Sequence, residues 1–195
     1  MGRDRDQDLT QRLDVATTPA SPALGELDLR LVPVHDADPV ALLRFESTNR
    51  RYFRSWISDR GDSYYDLRTV ASSLQDALRW WEQGSDRLHV VVDRADEIVG
   101  RANLIDVSDS CASLGYRVAE SHVGSGIATA AVSDLLRCAP DWGIRRVEAV
   151  TSANNAGSAR VLERCGFALV RTRIAALELD GSALDALEWE AWAHQ

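Results

Sequence analysis

The sequence predicts a single mixed α/β domain of the α+β kind, with a mostly antiparallel central sheet flanked by helices. Three observations carry that expectation. Runs of period-two hydrophobicity alternate with runs of helical period along most of the chain. Two strand-like pairs are joined by short polar turns, near Arg94–Glu97 and at Asp180–Gly181, as antiparallel neighbours are. At 195 residues, 45% hydrophobic and 27% charged, the chain suffices for one proper core and is short for two.

Residues 1–25 are polar and charged, then rich in Thr, Pro, Ala and Ser (ATTPASPALG), and read as a flexible leader; the domain is expected over 26–195. ELDLRLVPV alternates as a strand does. Asp36 and Asp38 then flank a helix start with Pro39 in its first turn, and the apolar run continues through Leu42, Leu43 and Phe45. YDLRTVASSLQDALRWWEQG sets Leu67, Val70, Ala71, Leu74, Ala77, Leu78 and Trp81 at helical spacing, with Gly84 as the stop. LHVVVDRADEIVGRANLIDV gives two strands around a turn, and ASLGYRV a further strand. After the glycines, ATAAVSDLLRCA is helical and ends before Pro140, with Gly143 just beyond. RRVEAVT is a strand, and SANNAGSARVLERCGF a short helix ended by Gly166. FALVRTRIAALEL and ALDALEWEAW close the chain as an antiparallel pair.

Composition narrows the function. A net charge of −8 argues against nucleic-acid binding through phosphate contacts and suits an amine or cationic substrate. No apolar run approaches membrane-spanning length and the N-terminus lacks a signal-peptide pattern, so the expected location is cytoplasmic. Cys111, Cys138 and Cys165 are odd in number and form no CxxC, which fits structural thiols in a reducing compartment. His35, His89, His122 and His194 are scattered, with no metal-ligand spacing, and no metal is expected. All 22 basic residues are arginines, so a phosphate clamp must use guanidinium forks and backbone amides.

The segment ESHVGSGIATAAV, residues 120–132, places bare backbone where a helix should begin. Such a turn either serves only as a turn or cradles a phosphate with backbone N–H groups. Gly124-x-Gly126 is two-thirds of a dinucleotide fingerprint, and Glu148 stands near the ribose-binding position. Thr129 replaces the third glycine, however, and the motif comes late, without βαβαβ alternation. A Walker-type loop fails because the chain has no lysine.

GYRVAESHVGSGIATAAV resembles the "GYWL…H-x-G-x-G" signature of the GNAT superfamily of acyl-CoA-dependent N-acetyltransferases. The likeness is to the ribosomal-protein N-terminal acetyltransferase branch. NNAGSARVLERCGF is similar to its "N-x-x-S…L…GF" helix, and NRRYFRSWI to its N-terminal "N-R…L…W" stretch. The resemblance implies a GNAT-like fold and acetyl-CoA as cosubstrate. It places the amides of Val123, Gly124, Ser125, Gly126, Ile127 and Ala128 around the pyrophosphate, and the strand from Tyr116 to Val118 along the pantetheine arm as an added strand. The family usually has Gln or Arg where this chain has Val123; only the backbone N–H is needed there. Asn155 matches a cofactor-bonding asparagine, or is a turn residue. Ser158 matches a serine beside the thioester sulfur, or is a helix cap worth about 1 kcal/mol.

Acetyl transfer needs a neutral amine, oxyanion stabilisation and a proton for the departing thiolate. The base has two candidates: Glu148, on a strand, and Glu178, within one residue of a family glutamate suggested for that role. A water relay is the alternative. Tyr116 is a candidate proton donor or a core residue. Asn49, Arg50 and Trp56 match the stretch near the family's acceptor entrance, or form a solvated helix face. An α-amine near pKa 8 is roughly a tenth neutral at pH 7, against about one part in 2,500 for lysine, so a sparsely furnished site suits α-amines. The acceptor is expected to be a protein or peptide N-terminus or a small amine-bearing molecule. Family habit and the Trp189/Trp192 strand suggest a homodimer. A catalytically idle domain that senses acyl-CoA is the second reading, and a nucleotide-binding oxidoreductase the third.

Overall fold

The computed structural model describes residues 23–193. Most of the expected leader lies outside these residues, as does His194. Leu24 and Gly25 do not behave as a leader: Leu24–Leu27 form a 3₁₀ turn, and Leu24 is packed into the core at 1% exposure. Asp28 then adopts φ 58, and this left-handed residue breaks the expected first strand, which is confined to β1 (Arg30–Pro33).

α1 (Pro39–Arg54) begins where the sequence places it, with the Asp38 carboxylate accepting from Val40 and Ala41 N–H. α2 (Leu67–Gln83) is capped likewise by Asp66 and stops at Gly84, φ 78. Strands β2 (Arg87–Val92), β3 (Ile98–Ser108) and β4 (Cys111–Val118) follow as an antiparallel meander. α3 (Ile127–Cys138), β5 (Arg146–Ser152), α4 (Ala156–Arg164), β6 (Ala168–Leu179) and β7 (Ser182–Trp192) complete the chain. The seven strands run in the order β1-β2-β3-β4-β5-β7-β6; β4 and β5 are parallel and every other pair is antiparallel.

Helices cover both faces of the sheet. On one face α3 and α4 bring Ala130, Val132, Leu135 and Leu162 against Leu104, Leu114, Val147 and Trp189. On the other, α1 and α2 bury Leu42, Val70, Leu74 and Ala77 on Val90 and Val92. The alternation of β2 between these clusters is the strand period read directly in burial. Cys111, Cys138 and Cys165 are all free thiols. Trp81 belongs to a ring cluster with His89 and Trp142, centroids 5.3 Å and 5.9 Å away, while Trp80 stays 41% exposed.

His89 in that cluster makes stability depend on pH. Burial, aided by the charges of Arg87 and His35, pushes its pKa down from 6.5 to about 4. The unfolded chain therefore takes up the proton first as pH falls. Stability is full above about pH 6.5 and is lost progressively toward pH 4, by up to about 3 kcal/mol from this residue. Urea unfolding at pH 7 and near pH 4.5 is expected to show a smaller drop in His89→Gln than in the parent chain. Equal drops would assign the acid sensitivity to other groups.

Candidate functional site

The site begins where the sheet opens. β4 and β5 pair from Cys111↔Arg146 to Leu114↔Ala149 and no further. β4 continues against β3 as far as Gly100↔Val118, and β5 continues against β7 as far as Ser152↔Ala186. The two strands thus diverge, and Gly115–Val118 present a backbone edge in the middle of the sheet. Such an edge accepts an extended ligand through main-chain hydrogen bonds.

The glycine turn lies at the mouth of this wedge. Glu120–His122 make one 3₁₀ turn, Gly124 takes φ 81, and Gly126 takes φ 86 as the residue before α3. Only glycine adopts this pair of left-handed conformations without strain. Val123 N–H bonds Glu120 O at 3.3 Å and Ser125 N–H bonds His122 O at 3.4 Å, both long. Among the described residues no protein acceptor takes the N–H of Gly124, Gly126, Ile127 or Ala128. A Cβ built at either glycine would meet nothing within 4 Å, so the cradle is open. The positive end of α3 and these amides fit a phosphate group. Val123 is 58% exposed, but its N–H and that of Ser125 are turned to Glu120 O and His122 O, so these two amides do not join the open set expected around the pyrophosphate.

Two catalytic candidates are brought together. The Tyr116 hydroxyl lies 2.7 Å from Ser158 Oγ and 3.1 Å from Ser158 O, so its one proton has both oxygens within reach, across a separation of 42 residues. Burial pushes the Tyr116 pKa up to about 12, so the phenol remains protonated across the neutral range. Asn155 caps α4: its Oδ1 accepts Ser158 N–H at 3.0 Å and fixes the serine at the helix start. Ser158 holds this position without capping through its own hydroxyl, which leaves Oγ to Tyr116.

The carboxylate candidates stand apart from that pair. Glu148 pairs with Arg146 at 3.0 Å and points to the side of the sheet opposite Val147 and Ala149. Glu178 is exposed near the tip of the β6–β7 hairpin, opposite Ala183. Asn49 is buried, donating to Phe45 O at 2.8 Å and accepting from Glu120 N–H at 2.9 Å, so it ties α1 to the loop before the cradle. Arg50 binds Asp59 (Nε at 3.0 Å) and Asp62 (2.8 Å) and lies over the Tyr65 ring. Hydrogen bonding to Arg50 holds the Asp59 carboxyl at about 2. Trp56 is 39% exposed just beyond α1.

Sequence reasoning missed a charged cluster on the same side. Glu46 of α1, 1% exposed, meets Arg101 at 2.9 Å and also Arg117, two arginines at paired positions of β3 and β4. Arg117 lies over Phe53 and walls a small pocket with Arg50, Asp59, Arg60 and Tyr65. The available signal was an arginine at an inward position of the strand GYRV, where the family signature carries Trp.

A parallel strand pair thus parts beside a glycine turn at the start of α3, with the Tyr116 and Ser158 hydroxyls alongside. The chain belongs to the GNAT acetyltransferase family: the Acetyltransferase (GNAT) domain model matches residues 27–168. It is 30% identical over 142 residues to "Probable N-acetyltransferase YjcK" of Bacillus subtilis, covering 69% of this chain and 77% of that protein. Among solved structures it is similar to ribosomal-protein-S5-alanine acetyltransferase from Vibrio fischeri. That match has a TM-score of 0.76 and 21% identity, over 85% of this chain and 92% of that one. It is also similar to Mycobacterium smegmatis RimJ in complex with CoA-disulfide, with a TM-score of 0.74 and 27% identity, over 85% and 81% of the two chains. Among the described residues no helix is long and apolar enough to cross a membrane, and no group of three His, Cys, Asp or Glu is placed to hold a metal ion.

Proposed function

We propose that this chain transfers an acetyl group from acetyl-CoA to a primary α-amine, of a protein or peptide N-terminus or of a small molecule, in the cytoplasm. The observation that carries the reading is the wedge between β4 and β5, with unpartnered amides at its mouth and the Tyr116–Ser158 hydroxyl pair at its side. The complex of the similar RimJ with a CoA species supports the choice of acyl carrier.

Acetyl-CoA supplies an activated thioester: the amine nitrogen bonds to the acetyl carbon, the C–S bond breaks, and one amine proton ends on sulfur. Gly124, Gly126, Ile127 and Ala128 N–H hold the pyrophosphate, and the free edge at Gly115–Val118 aligns the pantetheine. Tyr116 O–H donates to Ser158 Oγ, which turns the serine proton toward the sulfur. With a pKa raised to about 12, Tyr116 is a donor in this relay and not a base. Glu148 and Glu178 have no partner in that pair, so the acceptor loses its proton through water. An α-amine near pKa 8 needs the least such help.

Thermal unfolding with acetyl-CoA, CoA and NADH added separately tests the reading. A ligand at 100 times its Kd adds about 2.7 kcal/mol, and only the CoA compounds are expected to do so. Gly126→Val, which forces a β-branched residue to positive φ, is expected to abolish the shift. A shift with NADH alone would end the proposal. A CoA shift without thiol release across an amine panel would favour an acyl-CoA-sensing domain instead.

A further inference from the structure

We propose that the pocket between the end of α1 and β4 binds a carboxylate that the acceptor carries close to its amine. This rests on the acetyl-transfer reading and adds the substrate class.

The charges around the pocket do not cancel. Arg101 and Arg117 share one carboxylate, Glu46, and the three side chains are at most 13% exposed. The Nε of each arginine is buried with no hydrogen-bond partner among the described residues. Arg117 also forms part of the pocket wall, and its guanidinium spends Nη2 on Glu46 while Nε is shut away from solvent. Arg60 is the next cation along that wall, stacked 4.6 Å from the Tyr64 centroid and without an ion pair among the described residues. The neighbouring carboxylates are already engaged. Asp59 and Asp62 hold Arg50, and Asp180 on the β6–β7 hairpin stands 4.0 Å from Arg54. A chain of net charge −8 thus keeps a surplus of guanidinium at one place. Desolvated guanidinium forks match a carboxylate with two parallel hydrogen bonds.

The pocket also adjoins the free edge, because Arg117 belongs to both. Arg117 follows Tyr116 directly, with Cα atoms about 3.8 Å apart and side chains on opposite faces of β4. A carboxylate held by Arg117 leaves an amine a few bonds away beside the free edge of that strand, where β4 and β5 part. Cationic acceptors would meet uncompensated arginine in the same place.

The test compares Ala-Glu-Ala-amide, Ala-Gln-Ala-amide and Ala-Lys-Ala-amide as peptides, and alanine against alaninamide as free amino acids. Thiol release gives kcat and KM, and calorimetry on the CoA-bound protein gives Kd whether or not turnover occurs. In each set the carboxylate acceptor is expected to bind about tenfold or more tightly than its amide. The peptide set and the amino-acid set together show whether the carboxylate belongs to a side chain or to the acceptor's own terminus. Arg60→Gln, at an exposed position, and Arg117→Met, which leaves Glu46 paired with Arg101, are expected to erase that preference while the KM for acetyl-CoA holds. Equal affinity for acid and amide in both sets, or a uniform loss across all acceptors in both variants, would overturn the proposal. Failure of the CoA shift would count against the acetyl-transfer reading alone, because the same calorimetric comparison is made on the protein without CoA.

Discussion

Replacing Tyr116 with phenylalanine is expected to lower kcat for acetyl transfer by about a hundredfold, with little change in the KM for acetyl-CoA. The ring stays in the wedge and only the hydroxyl is lost. Ser158 Oγ then loses the partner 2.7 Å away that orients its proton. Ser158→Ala should cost a similar factor, because in the proposed relay Oγ links the phenol to the sulfur. The helix start should survive that change, since Asn155 caps it through the Ser158 backbone N–H. If the two hydroxyls act as one relay, the double variant will be little worse than either single one. Fully additive losses would mean two separate roles, and near-parental kcat in Tyr116→Phe would remove the relay altogether.

The second large effect concerns stability. Glu46→Gln is expected to destabilise the fold by about 3–5 kcal/mol, because it leaves two buried cations without a counter-charge. Arg101 and Arg117 stand at paired positions on β3 and β4, where like charges repel directly. Adding Arg101→Met to Glu46→Gln should recover much of the loss by removing one cation. The comparison is read from urea midpoints, with folding confirmed by circular dichroism. A loss below about 1 kcal/mol would show that solvent or a counter-ion screens the pair.

Local chemistry made most of the fold legible. The Asp38 cap, the stop at Gly84 and the Asp180–Gly181 turn are short-range devices whose residues sit within a few positions of what they control. The glycine turn was legible for the same reason, since two glycines at a helix start can be read without knowing the rest of the fold. The strand order was not, because the insertion of β7 between β5 and β6 is decided by packing across the sheet. Nor was the parting of β4 from β5, as each strand alone alternates normally. Glu46 lies 55 residues from Arg101 and 71 from Arg117, and no periodicity links positions so distant. Asn49 illustrates the opposite case: the motif drew attention to the right residue, while its hydrogen bonds to Phe45 and Glu120 reveal a brace within the protein. Leu24 was obscured by the polar, Pro-containing segment before it.

The opening in the sheet also determines where the molecule gives way most easily. Sheets ordinarily fray at their outer strands, yet here a central seam is also short and stays open from Leu114 and Ala149 outward. The β1–β4 half and the β5–β7 half can therefore breathe against each other at small cost beyond that point. A ligand lying in the gap acts as a rivet between them, and its departure loosens the protein along the same line.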